Sequence, residues 1–258
     1  MAEILVTDFL TGIMIFLRIS AMFVTAPIYN SENIPVLVRL ALALIITYIA
    51  FFSVDKVLIG QDDSYIILVL YGIKEIFTGV IMGMTLNIVF HGVSFAGLLF
   101  GRDMGLAMTQ MFDPTSNTQG NIISTILALT IIVVFILING HHFVVQAVTY
   151  SFKIIPIGEF KMTESAYDLL IKYSASIFIL AVKIASPIIV AFFLVHLASG
   201  IIARVSPSFQ VFFVLLPLKL VLGILLLALV TPLYVYLFRD LIFEYERNLF
   251  ELVKAIGA

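Results

Sequence analysis

Residues Gly97–Asn121, GLLFGRDMGLAMTQMFDPTSNTQGN, form the longest break between strongly apolar runs in this sequence of 258 residues. Gly97, Gly101 and Gly105 fall four apart, which on a helix makes a side-chain-free ridge where another backbone can approach closely. Met104, Met108 and Met111 follow at spacings of four and three, a face of flexible, polarizable thioethers with Phe112 beside it. Asp113–Pro114 is biased against helical backbone, and Thr115 to Gly120 are small or polar. The pattern predicts a helix running to Phe112, then a polar loop, 113–121, at the centre of the chain.

Upstream, the pattern stays helix-compatible from Tyr65 to Phe112, far beyond the roughly 20 residues that cross a bilayer. It predicts one very long helix or a broken pair, with Gly72, Gly79, Gly83 and Gly92 marking close contacts or kinks. Before it lie two apolar runs, Phe9–Ile28 and Val36–Val54, the second opened by Pro35, a residue suited to a helix start. Downstream, Ile122–Ile138 carries no charge, and Asn139 to His142 interrupt it before an amphipathic run to Phe152. A second long helix is expected over Ser165–Val205, bent at Pro187, and a last span over Phe209–Phe238, with Pro217 and Pro232 inside it. Residues 239–258 form a charged amphipathic segment, read as a solvated helix or, alternatively, as a docking surface for a cytoplasmic partner.

Hydrophobic residues make up 62% of the chain, mean hydropathy is +1.18, and charged residues are 12% against roughly 25% in an average soluble domain. The fold class is therefore all-α, an integral membrane or membrane-embedded subunit of long, kinked helices with five to six apolar segments. No linker or fixed-period repeat divides it, so 1–258 reads as one helical domain. The absence of cysteine removes disulfides, thiolate ligands and a thiol nucleophile. A net charge of −2 without any basic block argues against nucleic acid. The N-terminus lacks the basic-then-apolar-then-small pattern of a cleaved signal, so the first apolar segment is expected to remain.

Charges within or at the rim of the apolar runs set the main physical problem. Arg18, Arg39, Lys74, Glu75, Lys172, Lys183 and Lys219 lie there, with Arg204 at a helix end, and each charge at hydrocarbon depth costs roughly 2.5–3.5 kcal/mol. Partner subunits, a water-filled lumen or placement outside the hydrocarbon layer would relieve that cost, and a subunit enclosed by other proteins fits best. For Lys74–Glu75, charge compensation between packed helices is favoured over a proton relay. His141 and His142 point about 100° apart on a helix and cannot easily share an ion. With no H-E-x-x-H, Walker A loop or G-x-S-x-G elbow, the chain reads as no enzyme, without metal or cofactor. A self-contained solute or ion transporter using Lys74, Glu75, Arg39 and His141, or a scaffold with the glycine ridge as an oligomerisation seam, are the competing readings.

Four ordered blocks decide among these. RISAMFVTAPIYNSENIPVLVRLALAL (18–44), GRDMGLAMTQMFDPTSNTQ (101–119), NGHHFVVQAVTYSFKIIPIG (139–158) and ASPIIVAFFLVHLASGIIARVSPSFQVFFVLLPLKLVLGILLL (185–227) together resemble the FliR family of flagellar export-gate subunits. The NGHH block is closer to the flagellar than to the injectisome branch. The resemblance implies a gate built with FliP-like and FliQ-like subunits beside an FlhB-like protein, at the bacterial inner membrane within the flagellar basal body, passing unfolded flagellar proteins. It also implies that much of the assembly lies above the membrane plane. A plug is implied at Gly105 to Asn117, which makes Met104, Met108, Met111, Phe112, Asp113 and Pro114 the candidate gate residues. Met108, Met111 and Phe112 supply the deformable apolar bulk such a seal needs.

Overall fold

Apolar residues at helical period, with glycine, proline and asparagine marking the breaks, yield an all-α chain. The computed structural model describes residues 2–27, 29, 34–54, 65–106, 121–206 and 211–257. Among them are seven helices: α1 Ala2–Thr25, α2 Val36–Phe51, α3 Tyr65–Asp103, α4 Ile122–Leu137, α5 Gly140–Ile154, α6 Glu164–Val205 and α7 Val211–Ile256. Four helices are long and apolar enough to cross a membrane, or five spans if the α4–α5 pair, bent by 71°, counts as one. The protein is thus membrane-embedded and all-α. α3, α6 and α7 have 39, 42 and 46 residues, about 58, 63 and 69 Å at the helical rise.

The helix ends follow local chemistry. Pro35 sits immediately before α2 with φ −55°, already helical in that angle. Asn121 caps α4, its side-chain oxygen accepting from the Ile123 N–H at 3.0 Å. Asn139 takes φ 61° at the α4–α5 bend, a left-handed conformation that asparagine tolerates. Thr163 Oγ1 accepts from Ala166 N at 3.1 Å to cap α6 and donates to Ala255 O at 2.6 Å.

Two sequence expectations change. α3 stops at Asp103 rather than at Phe112, because Gly105 adopts φ +83°. Its N–H donates to Arg102 O at 3.1 Å while Leu106 N donates to Gly101 O at 2.9 Å, the paired bonds of a Schellman ending. The last span and the charged C-terminal segment are one helix, α7, continuous through Pro217 and Pro232. Nor is its end merely solvated: Leu241, Ile242, Tyr245, Leu249, Leu252, Val253 and Ile256 are buried at helical spacing, with Asp240, Glu244, Arg247 and Lys254 exposed.

The chain divides into two compact units: 1–88 with 139–174 and 242–258, and 89–138 with 175–241. The first unit packs Ile15, Ile19, Met22 and Phe23 of α1, Met82 and Leu86 of α3, Val144 and Val148 of α5, and the α7 end. α1 and α3 meet backbone to backbone: a Cβ on Gly79 would strike Arg18 O, with Ala21 Cβ at 2.9 Å and Met22 N at 3.0 Å. One on Gly83 would strike Thr25 Oγ1, with Met22 O at 2.7 Å. The second unit buries Val93, Ala96 and Phe100 of α3, Leu127, Ile131 and Phe135 of α4, Ile184, Ile188 and Phe192 of α6, and Tyr234 and Phe238 of α7. Phe100, Tyr234 and Phe238 stack at 6.0 and 5.9 Å, and Tyr234 Oη donates to Ile184 O at 2.9 Å. Both α6 and α7 leave long apolar rows exposed, among them Phe178, Ile179, Val190, Leu194, Val221 and Leu229.

Candidate functional site

The organising stretch of the sequence becomes, in the second unit, a fastening point. α3 presents Gly97 and Gly101 to the N-terminus of α4. A Cβ on Gly97 would strike Ser124 Cα, with Ser124 N at 2.8 Å, and one on Gly101 would overlap the Asn121 side chain. Asn121 Nδ2 donates to Gly97 O at 3.2 Å, and Ser124 Oγ donates to Ser94 O at 2.7 Å. The cap of α4 is therefore tied to the end of α3, and the chain leaves at Leu106 and returns at Asn121 beside Gly101. Gly97 and Gly101 serve packing within the chain. Gly105 ends the helix, and a Cβ there would have Leu216 Cδ1 at 3.8 Å.

Met104, on the same stripe as Met108 and Met111 in sequence, is 2% exposed. Its thioether fills the notch at Gly223 of α7, where a Cβ would lie 2.5 Å from Met104 Cε and 2.8 Å from Sδ. Met108, Met111, Phe112, Asp113 and Pro114 lie outside the described residues. A methyl on Gly97 would meet backbone that cannot yield, whereas one on Gly101 would meet a side chain that can swing away at the expense of the α4 cap. Gly97→Ala is accordingly expected to cost roughly 2–3 kcal/mol, the upper range of overpacking, and Gly101→Ala about 1 kcal/mol, the worth of a cap. Unfolding midpoints of the two variants in detergent check the ranking.

In the first unit, three of the charges flagged in the apolar runs come together. Arg18 of α1 and Glu75 of α3 are both fully buried, and Arg18 Nε donates to Glu75 Oε2 at 2.6 Å. The other guanidinium nitrogens donate to Ser151 Oγ at 3.1 Å and Ile155 O at 3.0 Å. The Phe152 ring centroid lies 4.0 Å from the guanidinium carbon. The second Glu75 oxygen accepts the Gly158 N–H at 2.9 Å, and Lys74 Nζ donates to Gly158 O at 2.8 Å. Gly158 itself has φ +81° and lies under the Tyr71 ring, with no room for a Cβ. The pair thus finds its compensation inside the chain, and these bonds fasten the α5–α6 connection to α1 and α3.

The remaining charges are scattered. Arg39 is half-buried, its Nη2 3.5 Å from Ile34 O. Lys183 and Arg204 are exposed on α6. Lys219 Nζ lies 2.6 Å from His196 Nε2, joining α7 to α6 in the second unit. No group of metal-ligating side chains occurs among the described residues. Sequence reasoning marked Gly79 and Gly83 for close contacts or kinks, which the α1–α3 contact bears out, and passed over the Asn121 fastening. Gly79 and Gly83 show the same spacing of four as Gly97 and Gly101, so the signal was present; Asn121 gave none beyond its cap preference.

The model of the family described as bacterial export proteins, family 1, matches residues 9–245. The flagellar biosynthetic protein FliR of Bacillus subtilis is 29% identical over 248 residues, covering 93% of this chain and 95% of that protein. FliR of Escherichia coli is 30% identical over 220 residues, covering 84% and 82%. FliR of Aquifex aeolicus is 29% identical over 226 residues, covering 87% and 86%. With nearly the whole helical chain matched, from α1 into the buried end of α7, the protein belongs to the bacterial export proteins, family 1.

Proposed function

We propose that this chain is a structural and gating subunit of a flagellar protein export channel. It assembles with FliP-like and FliQ-like subunits, beside an FlhB-like protein, to pass unfolded flagellar proteins across the bacterial inner membrane. The matched relatives carry the name flagellar biosynthetic protein, and the exposed apolar rows of α6 and α7 supply surface for neighbouring subunits or lipid. The observation that carries the gating role is the fastening of Asn121 onto Gly97 and Gly101. This fastening holds the end of α3 and the start of α4 at one point, so the helices on either side of the seal are fixed to each other. In this reading the seal comprises Met108, Met111, Phe112, Asp113 and Pro114, while Met104 anchors its entrance under Gly223. Thioethers and one aromatic ring close a pore by packing and reopen it by changing rotamers.

Deleting Met108–Asn117 tests the seal. Membranes carrying the variant are expected to hold the complex at wild-type levels yet to conduct ions while export is idle. An intact complex with unchanged conductance would defeat the assignment. The transporter reading loses its charged path, because Glu75 is 0% exposed and bound to Arg18 while Lys74 is bound to Gly158 O.

A further inference from the structure

From Ala175 to Phe238 the sequence contains Lys183, Arg204 and Lys219 and not one aspartate or glutamate. In the second unit α7 continues beyond this stretch only through Arg239, Asp240 and Leu241, and the apolar side chains of the stretch are largely exposed. Cations without counter-charges on an apolar surface are unfavourable in lipid, so intramembrane ionisable groups call for a named partner. Lys183 and Arg204 lie on the exposed face of α6. Lys219 is more confined: its ammonium lies 2.6 Å from His196 Nε2. An ammonium has three donors and no acceptor, so it donates to a neutral imidazole there, which leaves two donors and the full positive charge to be met. Among the described residues no carboxylate lies within 4.0 Å of it. Exposed Phe193, Leu197, Leu218 and Val221 surround the pair in sequence.

We propose that the Lys219–His196 pair is a docking point for a carboxylate carried on an apolar helix of a partner subunit. Charge complementarity selects that occupant, because a helix that is apolar but for one aspartate or glutamate would cover the exposed rows and neutralise the cation at the same time. His196 holds the ammonium against α6. The inference rests on the export-gate reading and deepens it by naming the chemistry of one subunit contact.

The tagged wild-type chain and the variants Lys219→Arg, Lys219→Met and Lys219→Glu, purified in mild detergent from cells that make the whole apparatus, test it. Wild type and Lys219→Arg are expected to retain their partner subunits. Lys219→Met should accumulate normally in the membrane but bind partners roughly thirtyfold or more weakly, as when one member of a buried charge pair is truncated. Suppressors of Lys219→Glu should map to a partner aspartate or glutamate changed to lysine or arginine. Should Lys219→Met fail to accumulate, the wild-type complex treated with a membrane-permeant carbodiimide answers instead. Lys219 joined through an amide to a partner carboxylate supports the contact, and a Lys219 peptide recovered unjoined overturns it. Equal partner recovery from Lys219→Met and wild type also overturns it. So does a Lys219→Met chain that keeps its partners and loses a co-purifying anionic phospholipid. If the wild-type chain itself purifies without partner subunits, it is the export-gate reading that fails.

Discussion

Replacing Arg18 by methionine is expected to destabilise the first unit by about 3–5 kcal/mol, the range for leaving one member of a buried ion pair without its partner. The guanidinium is fully buried and makes three hydrogen bonds, to Glu75, Ser151 and Ile155 O. Methionine matches the aliphatic stem and could lie against Phe152, so packing alone would change little. The loss comes from Glu75, which keeps the Gly158 N–H while its charge stays buried. Adding Glu75→Met removes that charge and is expected to recover part of the loss. Recovery is incomplete because Ile155 O and the Gly158 N–H are then left unsatisfied, at roughly 1–3 kcal/mol each. Detergent unfolding curves of the two single variants and the double variant give the coupling directly. Strictly additive effects would mean that the two side chains do not stabilise each other.

Gly79→Leu should come second in size. In α3 the Gly79–Gly83 face lets α1 approach until Arg18 O, Ala21 Cβ and Met22 N occupy the space where side chains would begin. A leucine there meets backbone and cannot be relieved by a rotamer change, so α1 must move away from α3 and take Arg18 with it. The expected loss exceeds about 3 kcal/mol, the top of the usual overpacking range. Gly12→Ala in α1 supplies the contrast, since a methyl there would have nothing within 4 Å. At that position the helix-propensity gain of alanine over glycine, up to about 1 kcal/mol, should act alone and stabilise. Opposite signs from a glycine replacement at the α1–α3 contact and one away from it on α1, read as unfolding midpoints, would show that contact rather than propensity governs Gly79. Equal and small effects would remove the close contact from the account.

Local pattern was enough to identify an all-α, membrane-embedded chain and to locate most helix breaks, because apolar periodicity and the backbone limits of proline and asparagine act within a few residues. α2 after Pro35, α4 after Asn121 and the bend at Asn139 all lie close to where the sequence puts them. The ordered blocks likewise pointed to the export family before any contact was known. Periodicity, however, says which residues share a face and not what that face meets. Gly97, Gly101 and Gly105 are equally spaced, yet two receive α4 while the third turns left-handed and ends the helix. Met104 falls at helical spacing from Met108 and Met111 in sequence, but is captured by the notch at Gly223 on α7. Arg18 and Glu75, 57 residues apart, are each unfavourable in a helix taken alone. Composition and spacing thus determined the class of fold, and the four ordered blocks carried the resemblance to the family. Only the tertiary structure decided which charges neutralise one another and which glycines are contacts, because both depend on long-range packing in which one helix supplies the shape and charge that another lacks.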